Sequence, residues 1–221
     1  MNKTILSIDA SCAVCSIALL YNKKISSTFE KNKKNQTKKI LIMISKIFKS
    51  RKISLKLVDA ITFTIGPGNF TGIRAAINVA QSLALGTNIK LFPLSTLVVI
   101  AEQAWRKLNL NKVLVLLNAN NNQVYWGKYI RNNEGIWEKI KKENLITKSE
   151  LSKKINFLNN SWTIVGNFRN EFFLNSKIKI NKKIFFSKAI DAIYCTQLNI
   201  NKNKNSNIKK IFPNYLNSLG L

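Results

Sequence analysis

Residues 59–86 read DAITFTIGPGNFTGIRAAINVAQSLALG, and this stretch decides the fold class. Its first part, residues 59–65, is a short apolar segment of the kind that forms a strand. The turn Gly66-Pro67-Gly68 ends that strand, and a helix opens near Thr71 and stops at Gly86. A strand that passes through a glycine turn into a helix predicts an α/β protein.

The glycine turn has the position of a phosphate loop but not its sequence. Backbone N–H groups at a helix start attract anions, so phosphate cradles form at such turns. The P-loop pattern GxxxxGK[ST] is not met, since Gly72 is not followed by Lys and Ser or Thr, and GxGxxG fails at Thr71. The simpler interpretation is structural: Gly66 and Gly68 make the turn, Pro67 stiffens it, and Thr71 caps the helix.

The helix after the turn carries small residues on one face, every fourth residue. They are Gly72, Ala76, Ala80 and Ala84. Small side chains let another helix pack closely, so this face is predicted to be covered by the chain itself, by a partner protein, or by both. The polar strip of the helix consists of Arg74, Asn78, Gln81 and Ser82. Apolar residues at helical spacing in the preceding segment, which are expected to share the interface, are Ile40, Met43, Ile44 and Ile47.

The surrounding elements occur in the same order twice. The first set is predicted as strands 4–9, 13–20 and 24–30, a helix 37–49, the strand and helix described above, a strand 89–92, and a helix to residue 107 that Ser95 or Thr96 caps. The second set is predicted as strands 112–118, 123–129 and 136–143, a helix 149–158, a strand 162–166, and a helix 187–198. We therefore expect two similar lobes, residues 1–108 and 109–221. In the second lobe, residues 199–210 are predicted to be mobile and residues 213–216 to dock back.

The 221-residue chain contains no histidine. This excludes a Ser-His-Asp or Cys-His nucleophile system and a His-ligated metal. Cys12 and Cys15 have CxxC spacing, but zinc needs further Cys or His ligands, so buried thiols are the favoured interpretation. We expect no catalytic residue and no bound metal.

The chain has a net charge of +26 and a pI near 10.2. Clustered cations attract nucleic-acid phosphates, but here lysines are spread along the whole chain, as compositional drift in an AT-rich genome would spread them. A solvated basic surface is therefore favoured over direct RNA contact. There is no apolar run of about 18 residues and no signal-peptide core before Asp9, so we expect a soluble cytoplasmic protein.

Several segments together resemble a known family. Residues 66–74, followed by AQSLALG at 80–86 and STL at 95–97, resemble the GPGSFTGxR, AQGLALG and STL run of the bacterial TsaB (YeaZ) proteins, relatives of TsaD. ILSID at 5–9, CSIAL at 15–19 and VYWGKY at 124–129 are similar to the opening and to a later strand of that family. The resemblance covers almost the whole chain.

This resemblance implies a fold and a role. The fold is the actin-like one of sugar kinases and Hsp70, with two ribonuclease-H-like lobes. The role is that of a non-catalytic subunit working with TsaD, which transfers threonylcarbamoyl to a tRNA adenosine, and with the ATPase TsaE. ATP and metal are then expected in the partner subunits, and contact with tRNA is expected through the complex. Whether the chain also forms a homodimer is left open by the resemblance.

The chain departs from the family pattern at several positions. Amides replace charged or titratable residues at Gln36, Asn118, Asn120, Gln123 and Asn217. The family usually has Arg at position 120, Glu at 123, and Ser where this chain has Asn69. Asp9 and Ser11 occupy the place where this superfamily approaches nucleotide, but no glycine there allows close phosphate approach, so a vestigial nucleotide site is expected. Two alternatives stay open: a small ATP-binding enzyme of the same superfamily, and a basic tRNA-binding module.

Overall fold

The computed structural model describes residues 3–31, 36–87, 89–120, 122–156, 158, 161–168, 178–181, 183–184, 186–200 and 211–216. The chain forms two compact units. The first comprises Met1–Val99 and Ser187–Asn214, and the second comprises Ile100–Phe186 and Tyr215–Leu221. The sequence predicted a linear division at residue 108. The structure differs because a helix near the C-terminus returns to the first sheet, where its apolar side is buried.

The first unit contains a five-stranded sheet with the order β3-β2-β1-β4-β5. The strands are β1 (Ile5–Asp9), β2 (Val14–Tyr21), β3 (Lys24–Lys31), β4 (Ala60–Thr64) and β5 (Lys90–Leu94). The first three form an antiparallel meander, and β1, β4 and β5 are parallel. Asn22 and Lys23 both have positive φ at the β2–β3 turn, as a two-residue hairpin of type I′ requires.

Helices cover both faces of this sheet. They are α1 (Gln36–Arg51), α2 (Phe70–Leu85) and α5 (Ala189–Ile200). Helix α3 (Thr96–Leu108) follows β5, and a 3-10 turn lies at Leu55–Leu57. On one face, α1 and α2 bury their apolar residues against Leu6, Ile8 and Phe63. On the other face, Ala189 and Ile193 of α5 pack against residues such as Ile5. The alternation of side chains along a strand explains why neighbouring residues of β1 enter different cores.

The second unit contains a six-stranded sheet with the order β11-β10-β6-β7-β8, and β9 also pairs with β7. Its elements are β6 (Lys112–Asn118), β7 (Gln123–Arg131), β8 (Trp137–Lys139), β9 (Asn144–Thr147), α4 (Lys148–Asn156), β10 (Thr163–Asn167) and β11 (Lys179–Ile180). Here β6 is antiparallel to β7 and parallel to β10, and β10 is parallel to β11. This repeats the pairing of β1 with β2, of β1 with β4 and of β4 with β5.

The structure corrects the sequence prediction at a few points. The predicted strand 136–143 is two strands, β8 and β9, because residues 140–143 leave the ladder and Glu143 turns inward to accept a hydrogen bond of 2.5 Å from the Tyr129 hydroxyl. Strand β11 was not predicted, since a two-residue strand has no detectable period. Residues 201–210 and Asn217 lie outside the described residues. No helix in the described ranges is long and apolar enough to cross a membrane.

Candidate functional site

The glycine turn packs directly on the loop that follows β1. Gly66 and Gly68 have φ of 103° and 147°, values that favour glycine. A side chain at Gly68 would overlap the Ser11 carbonyl oxygen, and one at Gly72 would overlap the Ala10 carbonyl oxygen. The Asn69 N–H donates to the Ser11 carbonyl oxygen at 2.6 Å. The glycines therefore permit contact between two backbone segments, which agrees with the structural interpretation of the turn.

Asn69, and not Thr71, caps helix α2. The Asn69 side-chain oxygen accepts a hydrogen bond of 2.9 Å from the Gly72 N–H, and Asn69 has extended φ and ψ. The predicted cap at Thr71 was wrong because the helix begins one residue before it, at Phe70. Asn and Ser are comparable N-caps, so the replacement of the usual Ser by Asn69 preserves the function of this position.

Asp9 ends β1 and is completely buried. Its Oδ1 accepts hydrogen bonds from the Ser11 N–H at 3.0 Å, the Ser11 hydroxyl at 2.7 Å and the Thr64 hydroxyl at 2.8 Å. Its Oδ2 has no hydrogen-bond partner among the described residues. Asp9 and Ser11, the two residues of the predicted vestigial nucleotide site, are hydrogen-bonded to each other, and with Thr64 they attach the first loop to β4.

Ser187 belongs to the same buried polar group, although it lies 176 positions after Ser11 in the chain. Its hydroxyl lies 3.1 Å from the Ser11 hydroxyl and 3.5 Å from the Cys12 sulfur. Burial, and next the negative charge of Asp9, raises the pKa of the Cys12 thiol to about 11 and that of Cys15 to about 12. Both thiols are protonated at neutral pH, so they are not nucleophiles. The sequence offered no signal for Ser187, because no pattern links residues so far apart.

The glycine turn limits the space around the first loop. The space beside the first loop is taken by the backbone of Gly68 and Asn69, and the loop itself supplies no glycine. Among the described residues there is also no group of three His, Cys, Asp or Glu side chains able to hold a metal ion. A phosphate cannot occupy a position where backbone atoms are already in contact.

The end of β4 also anchors two other segments. The Gly66 carbonyl oxygen accepts the Thr96 N–H at the start of α3, and the Ser95 hydroxyl accepts the Leu97 N–H, so Ser95 is the cap. The Ile65 carbonyl oxygen accepts the Asn214 N–H at 2.7 Å. This hydrogen bond holds Asn214 against the glycine turn, so the predicted docking of the segment near residue 213 takes place there.

The small face of α2 is interior. Gly72, Ala76, Ala80 and Ala84 are buried, and so are Ile40, Met43, Ile44 and Ile47 of α1. Both sets belong to one core cluster of the first unit, apart from the glycine, which has no side chain to contribute. These residues hold α1, α2 and the sheet together, so they cannot themselves form a free docking face.

The outward side of α2 is exposed and mixed in character. Its exposed residues are Phe70, Thr71, Arg74, Asn78, Ser82 and Leu85. Phe70 is 51% exposed, and the Arg74 guanidinium lies 3.8 Å from its ring centroid. On α1, Leu41 and Ile42 are 45% and 44% exposed. The predicted polar strip at Arg74 and Asn78 is therefore on the surface, together with large apolar side chains that the sequence had not singled out.

A surface groove of about 720 Å³ lies between the first turns of α1 and α2. It is lined by Gln36, Thr37, Lys38, Thr71, Arg74, Ala75 and Asn78. Every polar side chain of this lining can donate a hydrogen bond, and none is acidic. Gln36 Oε1 is buried and has no hydrogen-bond partner among the described residues. The first turn of neither helix contains an acidic residue.

The amide substitutions in the second unit lie mostly in the β6–β7 hairpin. The Asn120 side-chain N–H donates to Gln123 Oε1 at 2.8 Å, and the Asn122 N–H donates to Asn120 Oδ1 at 2.9 Å. Asn118 ends β6 and is exposed. A neutral amide pair therefore holds the hairpin at the two positions where the resemblance predicts Arg and Glu.

Two units whose sheets have the same strand order are the mark of the actin-like fold with two ribonuclease-H-like lobes. A family model described as "TsaD: tRNA N6-adenosine threonylcarbamoyltransferase" matches residues 24–211. The solved structure described as YeaZ from Pseudomonas aeruginosa is 25% identical, with a TM-score of 0.86 over 97% of this chain and 100% of that chain. The comparison confirms the predicted fold.

Curated relatives narrow the family. The tRNA threonylcarbamoyladenosine biosynthesis protein TsaB of Buchnera aphidicola subsp. Schizaphis graminum is 42% identical over 194 residues, which is 87% of this chain and 92% of the relative. TsaB of Escherichia coli K12 is 35% identical over 162 residues, 73% of this chain and 70% of the relative. The chain belongs to the TsaB proteins of the TsaD family, as the sequence resemblance indicated.

Proposed function

We propose that the chain is a non-catalytic accessory subunit in tRNA threonylcarbamoyladenosine biosynthesis. With TsaD and TsaE it supports transfer of threonylcarbamoyl from threonylcarbamoyl-adenylate to N6 of the adenosine beside the anticodon, in tRNAs that read codons beginning with A. Family membership supports the pathway, because the relatives carry that biosynthetic role in their names. TsaD supplies the catalytic groups in this proposal, and ATP and metal bind in the partner subunits.

The observation that carries the non-catalytic role is the environment of Asp9. This carboxylate is at a position where the superfamily fold approaches nucleotide, yet three donors of its own loop and of β4 occupy its Oδ1. The glycine turn fills the adjacent space. The chain also has no histidine to act as a base or a metal ligand. These features support a structural role for Asp9, at a position where the superfamily fold would bind a ligand.

The docking surface for TsaD in this proposal is the exposed side of α1 and α2. Phe70 and Leu41 supply apolar area, and Arg74 with Asn78 and the adjoining groove supplies hydrogen-bond donors. Apolar anchors beside a few polar groups are typical of protein interfaces. The buried alanines of α2 fix the position of this surface without touching the partner.

The docking surface is tested with a matched pair of phenylalanines. Phe70→Asp places a charge in the proposed interface, and Asp is tolerated in the first turn of a helix. Phe29→Asp changes a 68% exposed phenylalanine of β3 that also has a cation, Lys188, near its ring. We expect Phe70→Asp to abolish co-purification with TsaD and Phe29→Asp to leave it intact. Equal binding by both variants would remove α2 from the interface.

The function itself is tested by reconstitution. Purified TsaD and TsaE are given threonylcarbamoyl-adenylate and tRNA, with and without this chain, and modified adenosine is quantified. We expect modification to need the chain. If TsaD and TsaE alone modify tRNA at the same rate, the accessory role fails.

Titration calorimetry of the isolated chain with ATP and magnesium tests the enzyme alternative. The geometry at Asp9 leads us to expect no measurable heat. Tight binding with turnover would favour a small ATP-binding enzyme instead. Sedimentation of the chain alone and with TsaD shows whether a homodimer competes for the same surface.

A further inference from the structure

One face of β7 in the second unit combines tryptophans with lysines. Trp126 and Lys128 are two positions apart on β7, so their side chains are on the same face of the sheet. The Lys128 ammonium lies 4.2 Å from the centroid of the Trp162 ring, and the Lys154 ammonium of α4 lies 5.4 Å from that of Trp126. Cations over aromatic faces are held in place, so these lysines are more ordered than free surface lysines.

Lys141 lies near Lys128, because the N–H of the preceding residue, Ile140, donates to the Lys128 carbonyl oxygen at 3.0 Å. Partial burial, and next the positive charge of Lys141, lowers the pKa of the Lys128 ammonium. Neither lysine forms an ion pair with a carboxylate in the part of the chain that the structure describes. Two like charges that repel each other and lack a counter-charge cost free energy, and a bound anion would remove this cost.

The carboxylates of the neighbouring strands are engaged elsewhere. Glu143 accepts a hydrogen bond from Tyr129 and pairs with Lys139 at 3.2 Å. Glu138 accepts from the Asn132 side chain, and Glu150 accepts from the Thr147 N–H and hydroxyl. The hydrogen bonds from Thr147, and after them the charges of Lys154 and Lys153, lower the pKa of Glu150, so this carboxylate acts mainly at the start of α4. The positive charge of Lys128 and Lys141 is therefore available to a ligand from outside.

We propose that Lys128, Lys141 and Lys154 form a phosphate-contacting surface whose occupant is the backbone of tRNA. The inference rests on the proposed function, which makes tRNA the substrate of the complex. Phosphate contacts by lysine position a nucleic acid without reading its sequence. The surface therefore orients tRNA for a partner that performs the chemistry, and the strong positive charge of the chain speeds the encounter.

The surface is tested with two triple variants of equal charge. Lys128→Gln/Lys141→Gln/Lys154→Gln removes the proposed surface, and Lys24→Gln/Lys56→Gln/Lys90→Gln removes three exposed lysines of the first unit. Affinity of the chain for tRNA is measured by fluorescence anisotropy at a series of salt concentrations. The association constant falls as salt rises, and each phosphate contact adds about 0.7–0.9 to the steepness of log association constant against log salt concentration. We expect the surface variant to reduce this steepness by about 2–3 and the control to keep the wild-type value. Equal slopes for the two variants, or no tRNA binding by the wild-type chain at low salt, would overturn the proposal.

Two further measurements separate the surface from the accessory role and from other anions. In the reconstituted reaction, the surface variant should raise KM for tRNA several-fold and leave kcat and co-purification with TsaD unchanged. If the wild-type chain stimulates modification and the surface variant matches it in KM, only the surface fails; if the wild-type chain gives no stimulation, the accessory role fails. Competition by polyglutamate as strong as by RNA of equal charge would assign the surface to an acidic protein and overturn the RNA occupant.

Discussion

The two sheets follow the same plan, but the loops at the ends of their first strands are held by different means. Asp9 ends β1 and is buried, whereas Asn118 ends the equivalent strand β6 and is exposed. Groups from β4, the glycine turn and residue 187 fix the loop after β1. Among the described residues, the side-chain hydrogen bonds of the loop after β6 come from within the hairpin, and the Lys148 N–H at the start of α4 donates to the Asn122 carbonyl oxygen at 3.1 Å. The first end is thus held by segments up to 176 positions away, and the second mainly by residues near it in sequence.

The same sheet topology therefore supports a rigid loop in the first unit and a loop tolerant of substitution in the second. A loop held by long-range contacts is rigid, and it fixes the position of the exposed side of α2, the surface proposed above for docking. A hairpin held by its own residues tolerates substitution, which is where the amide replacements have accumulated. The following variants separate these two descriptions, from the largest expected effect to the smallest.

Gly72→Ala should be the most destabilising single change, by about 2–4 kcal/mol, because the new methyl group would overlap the Ala10 carbonyl oxygen. Its control is Gly86→Ala at the end of the same helix, where an added Cβ meets nothing within 4 Å and φ is −95°. That control should change stability by less than about 1 kcal/mol. Urea unfolding measures both, and similar midpoints would show that the turn does not press on the first loop.

Asp9→Ala should cost about 2–3 kcal/mol, since three donors lose their acceptor in the interior. Asn118→Ala, at the equivalent strand end, should cost less than about 0.5 kcal/mol because the side chain is exposed. Asp9→Asn keeps an acceptor and should retain both the thermal midpoint and the activity in the reconstituted reaction. A stable but inactive Asp9→Asn variant would mean that the charge itself is used, against the structural role.

Asn69→Ala should lower the free energy of unfolding by about 1 kcal/mol through loss of the α2 cap, and Asn69→Ser should leave it within about 0.5 kcal/mol of wild type. Thr71→Ala is the matched control, because Thr71 is exposed and lies inside the helix. Chemical unfolding of the three variants tests the order. A larger loss in Thr71→Ala would restore the cap that the sequence had indicated.

The smallest effect is expected in the second hairpin. Asn120→Ala should cost about 0.5 kcal/mol, because its bond to Gln123 is exposed. The double variant Asn120→Arg/Gln123→Glu should recover that loss, since an exposed ion pair is worth no more than about 1 kcal/mol. Thermal unfolding at low and high salt distinguishes the amide pair from the ion pair. A loss above 2 kcal/mol for Asn120→Ala would contradict the local character of this loop.

The strands and helices of the first unit could be predicted from the sequence because their periods are long and turn signals bound them. Helix α1 was predicted over residues 37–49 and is found at Gln36–Arg51. The short strands β9 and β11 could not be predicted, since their pairing with β7 and β10 decides them and no local pattern does.

The site could be predicted only where its residues are close in sequence. Asp9 with Ser11, and the glycine turn with its helix, were found in this way. Thr64 and Ser187 were missed because their relation to Asp9 and Ser11 exists only in the folded chain. The burial of Ala76 and Ala80 was one of two open outcomes, since a stripe of small residues packs equally well inside a chain and between chains.

The return of α5 to the first sheet has a consequence during synthesis on the ribosome. The face of the sheet that includes Ile5 and Phe92 is covered only by Ala189 and its helix, as far as the described core shows. When β5 has emerged, about 100 residues remain to be translated before that cover exists. At bacterial elongation rates this takes roughly 5–20 s. The nascent first unit therefore presents an apolar sheet face to solvent for seconds, and its folding is completed after translation of α5.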